Sequence, residues 1–401
     1  MRNQQLDPSM HVVIIGGGVM GAATASFLGA RYGIRATVLE RDASYARASS
    51  ALSVCAIRQQ FSTEINIRIS QESLKFYRDI GQQLAVGSDR PSIGLVEPGY
   101  LYLATEAGAH VLEENQALQT RCGATVALLS PGELGQRFPW LSLEQIALGS
   151  LGLSTAASGE GWFDGYSALQ AFRQHAIAQG ARFVEAEAVD FDTRAGAVQA
   201  VVTRQGARIA ADAVLIAAGA WSSPVAAKLG GDLPVRARKR DVFSLQASGP
   251  LPGCPLVIDP SGFWFRPDGD AGQFLCGSPP RGEDLDDVPL DQVDHGLFDE
   301  WLWPRLAERV PQFDTLRVTA SWAGYYEYNT FDQNGLVGRL PGTDNVFVAA
   351  GFSGHGLQQA PAVGLGIAEL IATGGYQSLD LSPLRVERLS ENAPLLERNI
   401  I

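Results

Sequence analysis

Glycines and one acidic residue near the start of the chain have the spacing of a dinucleotide-binding site. The apolar run 12–15 leads directly into Gly16, Gly18 and Gly21, and Glu40 lies at the end of the next predicted strand. In this arrangement the first glycine permits a sharp turn, the second lets the backbone approach a pyrophosphate, and the third lets the helix pack closely on the strand. The helix N-terminus offers free N–H groups to the phosphates, and the carboxylate can accept hydrogen bonds from a ribose diol. We therefore interpret the segment as a dinucleotide-binding β-α-β unit rather than as an ordinary glycine-rich turn.

An alternative interpretation of the same region is a membrane-spanning helix, because residues 12–30 carry no charge. Five glycines within that range and the β-branched residues at its start argue against such a helix. Residues 1–10 are polar and contain no apolar segment typical of a secretory signal. The sequence therefore predicts a cytoplasmic protein without a transmembrane segment.

Composition narrows the function classes further. A chain of 401 residues is long enough for two domains, and its net charge of −12 disfavours nucleic acid and anionic membranes as partners. A small anionic substrate is still compatible with this charge, because it responds only to its local site. The four cysteines are scattered and lack the spacing of metal ligands, so we expect reduced, buried thiols and no metal site.

Two later segments could complete a cofactor site. A predicted buried strand, 214–218, ends at Gly219 and Trp221, and a second glycine-rich loop, 351–356, precedes a predicted apolar helix. The N-terminus of that helix can stabilise negative charge, such as develops at one edge of a reduced flavin. His355 lies between two glycines of the loop, and we expect it to face a ligand.

Charged segments elsewhere have ordinary structural interpretations. The basic run 235–241 places three arginines on one face of a predicted strand, as a solvated face or as a positive wall near an anionic substrate. Asp284, Asp286 and Asp287 predict a solvated acidic loop rather than a metal site. Arg58, taken alone, is most simply a surface or salt-bridged arginine.

Segments 12–40, 58–61, 217–222 and 351–356 occur in the order, and with the residue types, that characterise one family of enzymes. Together they resemble the D-amino-acid oxidase and sarcosine oxidase flavoproteins. The stretch 322–335 resembles most the subgroup of FAD-dependent oxidoreductase domain-containing proteins, which is similar to sarcosine oxidase β-subunits and dimethylglycine dehydrogenases. The resemblance spans nearly the whole chain and is specific for the family and for FAD, but it says little about the substrate.

The resemblance implies an α/β fold with a Rossmann-like FAD-binding domain of the glutathione-reductase type. That domain is expected to be discontinuous and to comprise residues 1–90, 155–235 and 325–401. A mixed-sheet α+β substrate-binding domain, formed by residues 91–154 and 236–324, is expected to be inserted into it and to lie over the flavin.

The resemblance also implies which residues form the site. Arg58 matches the arginine that pairs with the substrate carboxylate in sarcosine oxidases, and a bidentate guanidinium suits that role. By the same matching Tyr326 and His355 fall near the flavin and the substrate, so these three residues are expected at the catalytic centre. The backbone at Val189 falls where the family holds the adenine. The residues expected to contact the cofactor are Gly16, Gly18, Val19, Met20, Gly21, Glu40, Arg41, Arg47, Ser49, Ser50, Val189, Gly219, Trp221, Gly351, Phe352, Gly354, His355, Gly356, Leu357 and Gln358.

Departures from the family pattern refine this expectation. The cysteine that binds flavin covalently in the family falls at Gly324 or Tyr325, and the covalent histidine of dimethylglycine dehydrogenases falls near Leu52, so we predict non-covalent FAD. The lysine that assists oxygen reduction falls at Leu275, which favours a dehydrogenase over an oxidase. A carboxylate-binding lysine falls at Gln358, which argues against a simple glycine-type substrate.

The predicted function is oxidation of the C–N bond of an amino acid or N-substituted amino acid to an imine, by hydride transfer to flavin N5, followed by hydrolysis of the imine. The expected partners are a small amine or amino acid with a carboxylate, and an electron acceptor that is O2, a quinone or an electron-transfer protein. Two alternatives stay open at this point. The first is an FAD-dependent 2-hydroxy acid dehydrogenase, and the second is a flavin-bound assembly or binding protein without turnover.

Overall fold

The computed structural model describes residues 9–269 and 271–399 and contains two large β-sheets with helices packed against them. The strands are β1 (His11–Ile15), β2 (Arg35–Glu40), β3 (Ala56–Ile57), β4 (Tyr100–Ala104), β5 (Val126–Leu129), β6 (Leu148–Gly152), β7 (Gly161–Trp162), β8 (Arg182–Glu185), β9 (Ala188–Arg194), β10 (Ala197–Thr203), β11 (Arg208–Ala210), β12 (Ala213–Ile216), β13 (Val235–Gln246), β14 (Leu256–Ile258), β15 (Trp264–Pro267), β16 (Gln273–Gly277), β17 (Arg317–Asn329), β18 (Leu336–Arg339) and β19 (Val346–Ala350). The α-helices are α1 (Val19–Tyr32), α2 (Ser49–Leu52), α3 (Glu64–Arg78), α4 (Ile80–Gln83), α5 (Glu106–Arg121), α6 (Pro131–Arg137), α7 (Gly165–Ala178), α8 (Ser222–Ala227), α9 (Trp303–Arg309) and α10 (Gly356–Thr373). Short 3-10 segments lie at Gly219–Trp221, Pro311–Thr315, Ser382–Leu384 and Val386–Leu389, and a π-helical segment lies at Leu297–Leu302.

The first sheet holds six strands in the order β18-β19-β12-β1-β2-β8. All its pairings are parallel except that between β18 and β19. β1 is apolar from Val12 onwards because both faces of the strand are covered, as is usual in parallel sheets. Helix α1 packs against α7 and α10. Gly364 permits the close approach of α10, since a Cβ atom there would lie 2.8 Å from Cβ of Ala23 in α1.

The second sheet holds eight strands in the order β17-β13-β16-β15-β14-β4-β6-β5. Its longest strands, β13 and β17, pair antiparallel along their whole length. One face carries an apolar core that includes Phe243 and Phe265, whereas alternate residues such as Tyr100 and Trp264 belong to the opposite face. Two small sheets, β9-β10-β11 and β3-β7, complete the pairing.

Both large sheets are assembled from distant parts of the chain. The first sheet draws its strands from residues 11–40, 182–216 and 336–350, and the second from residues 100–152 and 235–329. The expected mixed α/β fold is thus confirmed, while the domain boundaries stay a prediction. The four cysteines are buried and free, as expected. In the described parts of the chain, no helix has both the length and the apolar character that a membrane crossing requires.

Candidate active site

A cavity of about 680 Å³ lies where the two large sheets approach each other. Its walls are the segments that follow β1, β2, β12 and β19, together with the facing parts of β13 and β17. Strands β1, β2, β12 and β19 run parallel, so their carboxyl ends meet at one edge of the first sheet, where such sheets bind ligands. The volume falls within the roughly 300–1,000 Å³ typical of small-molecule and cofactor sites.

The three fingerprint glycines have different tasks in the structure. Gly16 has a φ of +106°, and a Cβ atom there would lie 2.2 Å from the carbonyl oxygen of Ala217. Gly21 packs against Gly16 in the same way, because its Cβ would lie 2.0 Å from the Gly16 oxygen. Gly18 lines the cavity, and a Cβ atom there would lie 3.4 Å from Ser50 Oγ, an ordinary van der Waals distance. Gly16 and Gly21 therefore serve the turn and the packing, while Gly18 leaves space for a ligand beside the start of α1.

Glu40 is held in position at the end of β2. Its carboxylate accepts hydrogen bonds from the backbone N–H groups of Gly17, at 2.8 Å, and Asp42, at 3.0 Å. The residue lines the cavity. A carboxylate fixed in this way presents its free lone pairs to hydroxyl groups of a ligand.

Two arginines and a tryptophan form a flat, positively charged part of the wall. The guanidinium carbon of Arg41 lies 3.8 Å from the ring centroid of Trp221, and that of Arg47 lies 5.7 Å from it. Burial and the neighbouring Arg47 lower the pKa of Arg41. Val189 of β9 lines the same cavity. Such a surface suits the phosphates and the aromatic base of a dinucleotide.

Arg58 is buried at the cavity wall and donates four hydrogen bonds through its two terminal nitrogens. Nη1 donates to the oxygen of Gln60, at 2.9 Å, and to the Tyr102 hydroxyl. Nη2 donates to Nε2 of His355, at 2.9 Å, and to the oxygen of Asn399. All four acceptors are uncharged. Within residues 9–269 and 271–399, no Asp or Glu oxygen lies within 4.0 Å of this guanidinium.

His355 is the acceptor in its contact with Arg58. Burial and the adjacent guanidinium hold the pKa of His355 well below its usual range, so the imidazole is neutral at pH 7. The ring also packs edge-on against Phe61, with centroids 5.0 Å apart. His355 lines the cavity, and its expected contact with a ligand stays a prediction.

Tyr326 lines the cavity beside the guanidinium of Arg240. The guanidinium carbon of Arg240 lies 5.1 Å from the Tyr326 ring, and Arg240 binds Asp284 through two hydrogen bonds of 2.9 and 2.8 Å. Burial raises the pKa of Tyr326, so its hydroxyl stays protonated at neutral pH. Arg238 pairs with Asp284 and Asp286. Asp286 and Asp287 are exposed and Asp284 is half-buried, which agrees with the expectation of a solvated acidic loop. The ion pairs of Asp284 and Asp286 with the basic run are an additional feature that the sequence did not predict.

The positions that would carry a covalent flavin link lie side by side in the cavity wall. A Cβ atom at Gly324 would lie 3.1 Å from Cβ of Leu52, and Ser49 Oγ donates to the Tyr325 oxygen at 2.7 Å. None of these side chains offers a thiol or an imidazole. The side-chain oxygen of Gln358 accepts hydrogen bonds from the backbone N–H of Arg58, at 2.9 Å, and from a serine hydroxyl.

Most of the predicted cofactor residues line this one cavity, and three do not. Gly21, Gly351 and Phe352 lie outside its wall. Gly351 has a φ of +76°, and its N–H donates to Oε2 of Glu327 at 3.0 Å, while Phe352 is buried against Gly335. The other predicted residues that the structure brings together in the wall are Gly16, Gly18, Val19, Met20, Glu40, Arg41, Arg47, Ser49, Ser50, Arg58, Val189, Gly219, Trp221, Tyr326, Gly354, His355, Gly356, Leu357 and Gln358.

Several wall residues had no sequence-based prediction. Tyr100, Trp264 and Glu327 are examples, and all three come from the second sheet. Glu327 lies within the stretch 322–335 that carries the family resemblance, so a signal existed for it. Tyr100 and Trp264 had no local motif. Arg240 also lines the wall, which agrees with the positive wall that was one of the two interpretations of the basic run. Among the described residues, no group of three or more His, Cys, Asp or Glu side chains could hold a metal ion.

Comparisons with known proteins found a matching family and similar structures. Residues 11–370 match the family model described as FAD dependent oxidoreductase. FAD-dependent oxidoreductase domain-containing protein 1 from Xenopus laevis is 43% identical to this chain, over 97% of the chain and 84% of its own length. The crystal structure of L-proline dehydrogenase from P. horikoshii is similar with a TM-score of 0.84 and 26% identity, over 96% of this chain and 99% of that chain. Glycine oxidase from Geobacillus kaustophilus is similar with a TM-score of 0.80 and 26% identity, over 95% of this chain and 99% of that chain.

Proposed function

Since the chain belongs to the family of FAD-dependent oxidoreductases, we propose that it oxidises the C–N bond of an amino acid or an N-substituted amino acid. FAD is the cofactor of the family, and when bound it supplies the acceptor for a hydride. The imine product is then hydrolysed by water. Related proteins include a glycine oxidase and an L-proline dehydrogenase, which supports a substrate of the amino-acid class.

The residues around the cavity fit FAD. Gly18 and the start of α1 would receive the pyrophosphate, and Glu40 would bind the ribose of the adenosine half. The backbone at Val189 and the ring of Trp221 would enclose the adenine end. The segment 353–358, at the start of α10, would hold the flavin end. Because Gly324 and Leu52 stand at the positions of covalent attachment, we propose that the cofactor is bound without a covalent link.

The observation that carries the proposal is the guanidinium of Arg58, which is 2% exposed and has no carboxylate partner in the described chain. Burial disfavours the charge of Arg58, while Glu397 and Glu160 stabilise it without contacting it. The guanidinium itself contacts only neutral acceptors, so it can take an anion as a direct partner. A carboxylate is the functional group that matches the planar, two-pronged guanidinium. A substrate carboxylate would replace neutral acceptors, and a charge-assisted hydrogen bond is roughly twice as strong as a neutral one.

The acceptor that a substrate would most readily replace is the oxygen of Asn399. Tyr102 lies in β4 and His355 lies directly before α10, whereas Asn399 lies in an irregular segment near the end of the chain. Removal of its oxygen would free one N–H of Nη2. A second carboxylate oxygen could then approach Nη1 in place of the Tyr102 hydroxyl, which would complete a bidentate pair.

Other wall residues would position the reacting carbon. Tyr100, Tyr326 and Trp264 provide an aromatic wall for the substituents on the carbon or nitrogen of the substrate. His355 would not take a proton from the substrate amine while its Nε2 accepts from Arg58. The amine must therefore enter as the neutral base, so the rate of oxidation should rise with pH until the substrate amine is deprotonated.

We favour a dehydrogenase over an oxidase. Leu275, which stands at the position of the lysine that assists oxygen reduction, is an apolar residue buried in the second sheet. An apolar side chain offers no charge to stabilise the superoxide that forms when O2 takes the first electron. The expected acceptor is then a quinone or an electron-transfer protein.

The proposal is tested by anaerobic mixing of the holoenzyme with separate panels of amino acids and 2-hydroxy acids, with the visible absorbance of the oxidised flavin as the readout. The amino-acid panel includes glycine, N-methylglycine and L-proline. Loss of absorbance with an amino acid, together with release of ammonia, an aldehyde or a cyclic imine, supports C–N oxidation. Loss of absorbance only with hydroxy acids assigns C–O oxidation instead. A flavin that no compound bleaches contradicts the catalytic proposal.

A further inference from the structure

Glu327 is a carboxylate in the cavity wall that takes no part in substrate binding or C–N oxidation as proposed above. It lies on β17, and its Oε2 accepts a hydrogen bond of 3.0 Å from the N–H of Gly351. A Cβ atom at Gly356 would lie 3.0 Å from its Oε1, so the carboxylate borders the first residue of α10. The side chain thus lies beside the segment that would hold the flavin end of the cofactor.

No positive charge balances this carboxylate. In the described chain, no Lys, Arg or His nitrogen lies within 4.0 Å of it. On β13 the partner of Glu327 is Ala237, and the arginines on either side of that alanine pair with the aspartates of the loop 284–286. The first turn of α10 carries no acidic side chain, and the nearby segment contributes His355, which is neutral. On β17 itself the neighbours are tyrosines, Tyr326 and Tyr328.

The protonation of Glu327 is therefore set by burial and by the charge in the cavity. Burial raises the pKa of Glu327 to about 7, against the stabilising hydrogen bonds from the backbone of Gly351 and Phe352. An added negative charge in the same cavity raises that pKa further, because like charges at short distance in a buried site repel. A small pKa change then moves the carboxyl across neutral pH.

We propose that Glu327 is the group that takes up a proton from solvent when the bound cofactor is reduced. A hydride carries one proton and two electrons, so a cofactor that accepts it gains one negative charge. The second proton comes from water and binds the carboxylate of Glu327, so the carboxyl becomes neutral and the net charge of the cavity is unchanged. On reoxidation the two electrons and one proton pass to the acceptor, and Glu327 returns its proton to solvent. The role rests on the cofactor of the family and is independent of which substrate is oxidised.

The test is the pH dependence of the midpoint potential of the bound flavin, measured by equilibration with a redox dye at pH values above about 7. Each proton that is bound together with two electrons changes the equilibrium constant tenfold per pH unit, which shifts the midpoint potential by about 30 mV per pH unit. The reduced flavin binds one such proton, and Glu327 would bind a second. The wild-type holoenzyme should therefore show about 60 mV per pH unit, and Glu327→Gln about 30 mV per pH unit. The reductant is dithionite, so the result does not depend on substrate turnover.

Glu160→Gln is the matched control. Glu160 is also buried, with its pKa raised to about 7 by burial, but its carboxylate is bound by the segment 59–60 and does not line the cavity. This variant should keep the wild-type slope. The proposal is overturned if Glu327→Gln keeps the wild-type slope, or if Glu160→Gln loses it as well.

A direct measurement covers the case in which Glu327→Gln does not retain flavin. Proton uptake by the wild-type holoenzyme is followed with a pH indicator during reduction at an electrode, because dithionite releases protons of its own when it is oxidised. The solution is weakly buffered at about pH 8, one unit above the pKa of about 7. Uptake of two protons per flavin, together with the absorption spectrum of the anionic reduced flavin, supports the role of Glu327. Uptake of a single proton, or the spectrum of the neutral reduced flavin, overturns it.

Discussion

Replacement of Arg58 by alanine is the sharpest test of the proposed carboxylate site. The side chain is buried, donates four hydrogen bonds to uncharged acceptors and contacts no carboxylate in the described chain. If a substrate carboxylate is its counter-ion, the substitution leaves that carboxylate buried without a partner. Loss of one member of a buried ion pair costs roughly 3–5 kcal/mol. Since about 1.4 kcal/mol corresponds to a factor of ten, kcat/KM should fall roughly 150- to 5,000-fold.

The assay compares two substrates and two variants. The substrates are the best amino acid from the panel and the corresponding amine that lacks the carboxylate. Arg58→Ala should lower kcat/KM strongly for the first and by less than about tenfold for the second, because only the first presents a carboxylate to the lost guanidinium. Arg266→Ala is the matched control. Arg266 lies on β15 and is buried as Arg58 is, but it pairs with Asp268 and does not line the cavity.

The flavin spectrum and the melting temperature of each variant establish that fold and cofactor are retained. An Arg58→Ala enzyme that binds FAD and keeps its kcat/KM for the amino acid would refute the carboxylate assignment. An equal loss for both substrates would also refute it, because the defect would then be independent of the carboxylate. In either case Arg58 would serve to hold Tyr102 and Asn399 in place.

Three further outcomes follow from the geometry. Gly16→Ala should abolish FAD binding, because the new Cβ would lie 2.2 Å from the Ala217 oxygen at a backbone φ of +106°. The measurement is the flavin absorbance of the protein after gel filtration, and retention of stoichiometric FAD would contradict the prediction. Acid precipitation should release all flavin into the supernatant, since Gly324 and Leu52 cannot form a covalent link, and flavin that stays with the pellet would show otherwise. Burial raises the pKa of Glu160 from 4.5 to about 7, so the folded state binds more protons than the unfolded state between those values, and stability should fall as pH rises from about 4.5 to 7. Urea unfolding should show this fall in the wild type, and in Glu160→Gln the fall should be smaller by at most about 3 kcal/mol, because Glu327 contributes a term of the same sign in both proteins. Identical pH profiles would contradict the assignment.

The family resemblance and the structure contributed differently to the site. Arg58 has no local feature that separates it from a surface arginine, and only the matching of several segments to a family singled it out. Its contact with His355 joins positions 297 residues apart, and its contact with Asn399 joins positions 341 residues apart. No sequence period predicts such contacts, because they form only after the two sheets have assembled.

The acidic loop and the aromatic wall illustrate the same limit. The closely spaced aspartates predicted a solvated loop, and the loop is largely exposed. The ion pairs of Asp284 and Asp286 with arginines of β13 depend on where the fold places this loop, and no local pattern predicts them. Tyr100 and Trp264 sit on strands of ordinary apolar pattern. Which face of those strands meets the cavity depends on the register of the whole sheet.

The amino-acid sequence by itself determined the dinucleotide-binding unit from His11 to Glu40, because its strand, turn, helix and second strand are contiguous. Its glycines are required by the local backbone conformation, such as the positive φ at Gly16. Only the tertiary structure decided that Arg58 is buried without a carboxylate partner in the described chain, and that Glu327 borders the segment before α10. The physical reason is that burial and the electrostatic environment of a side chain are properties of everything packed around it. The residues around Arg58 and Glu327 come from distant segments that the fold alone brings together.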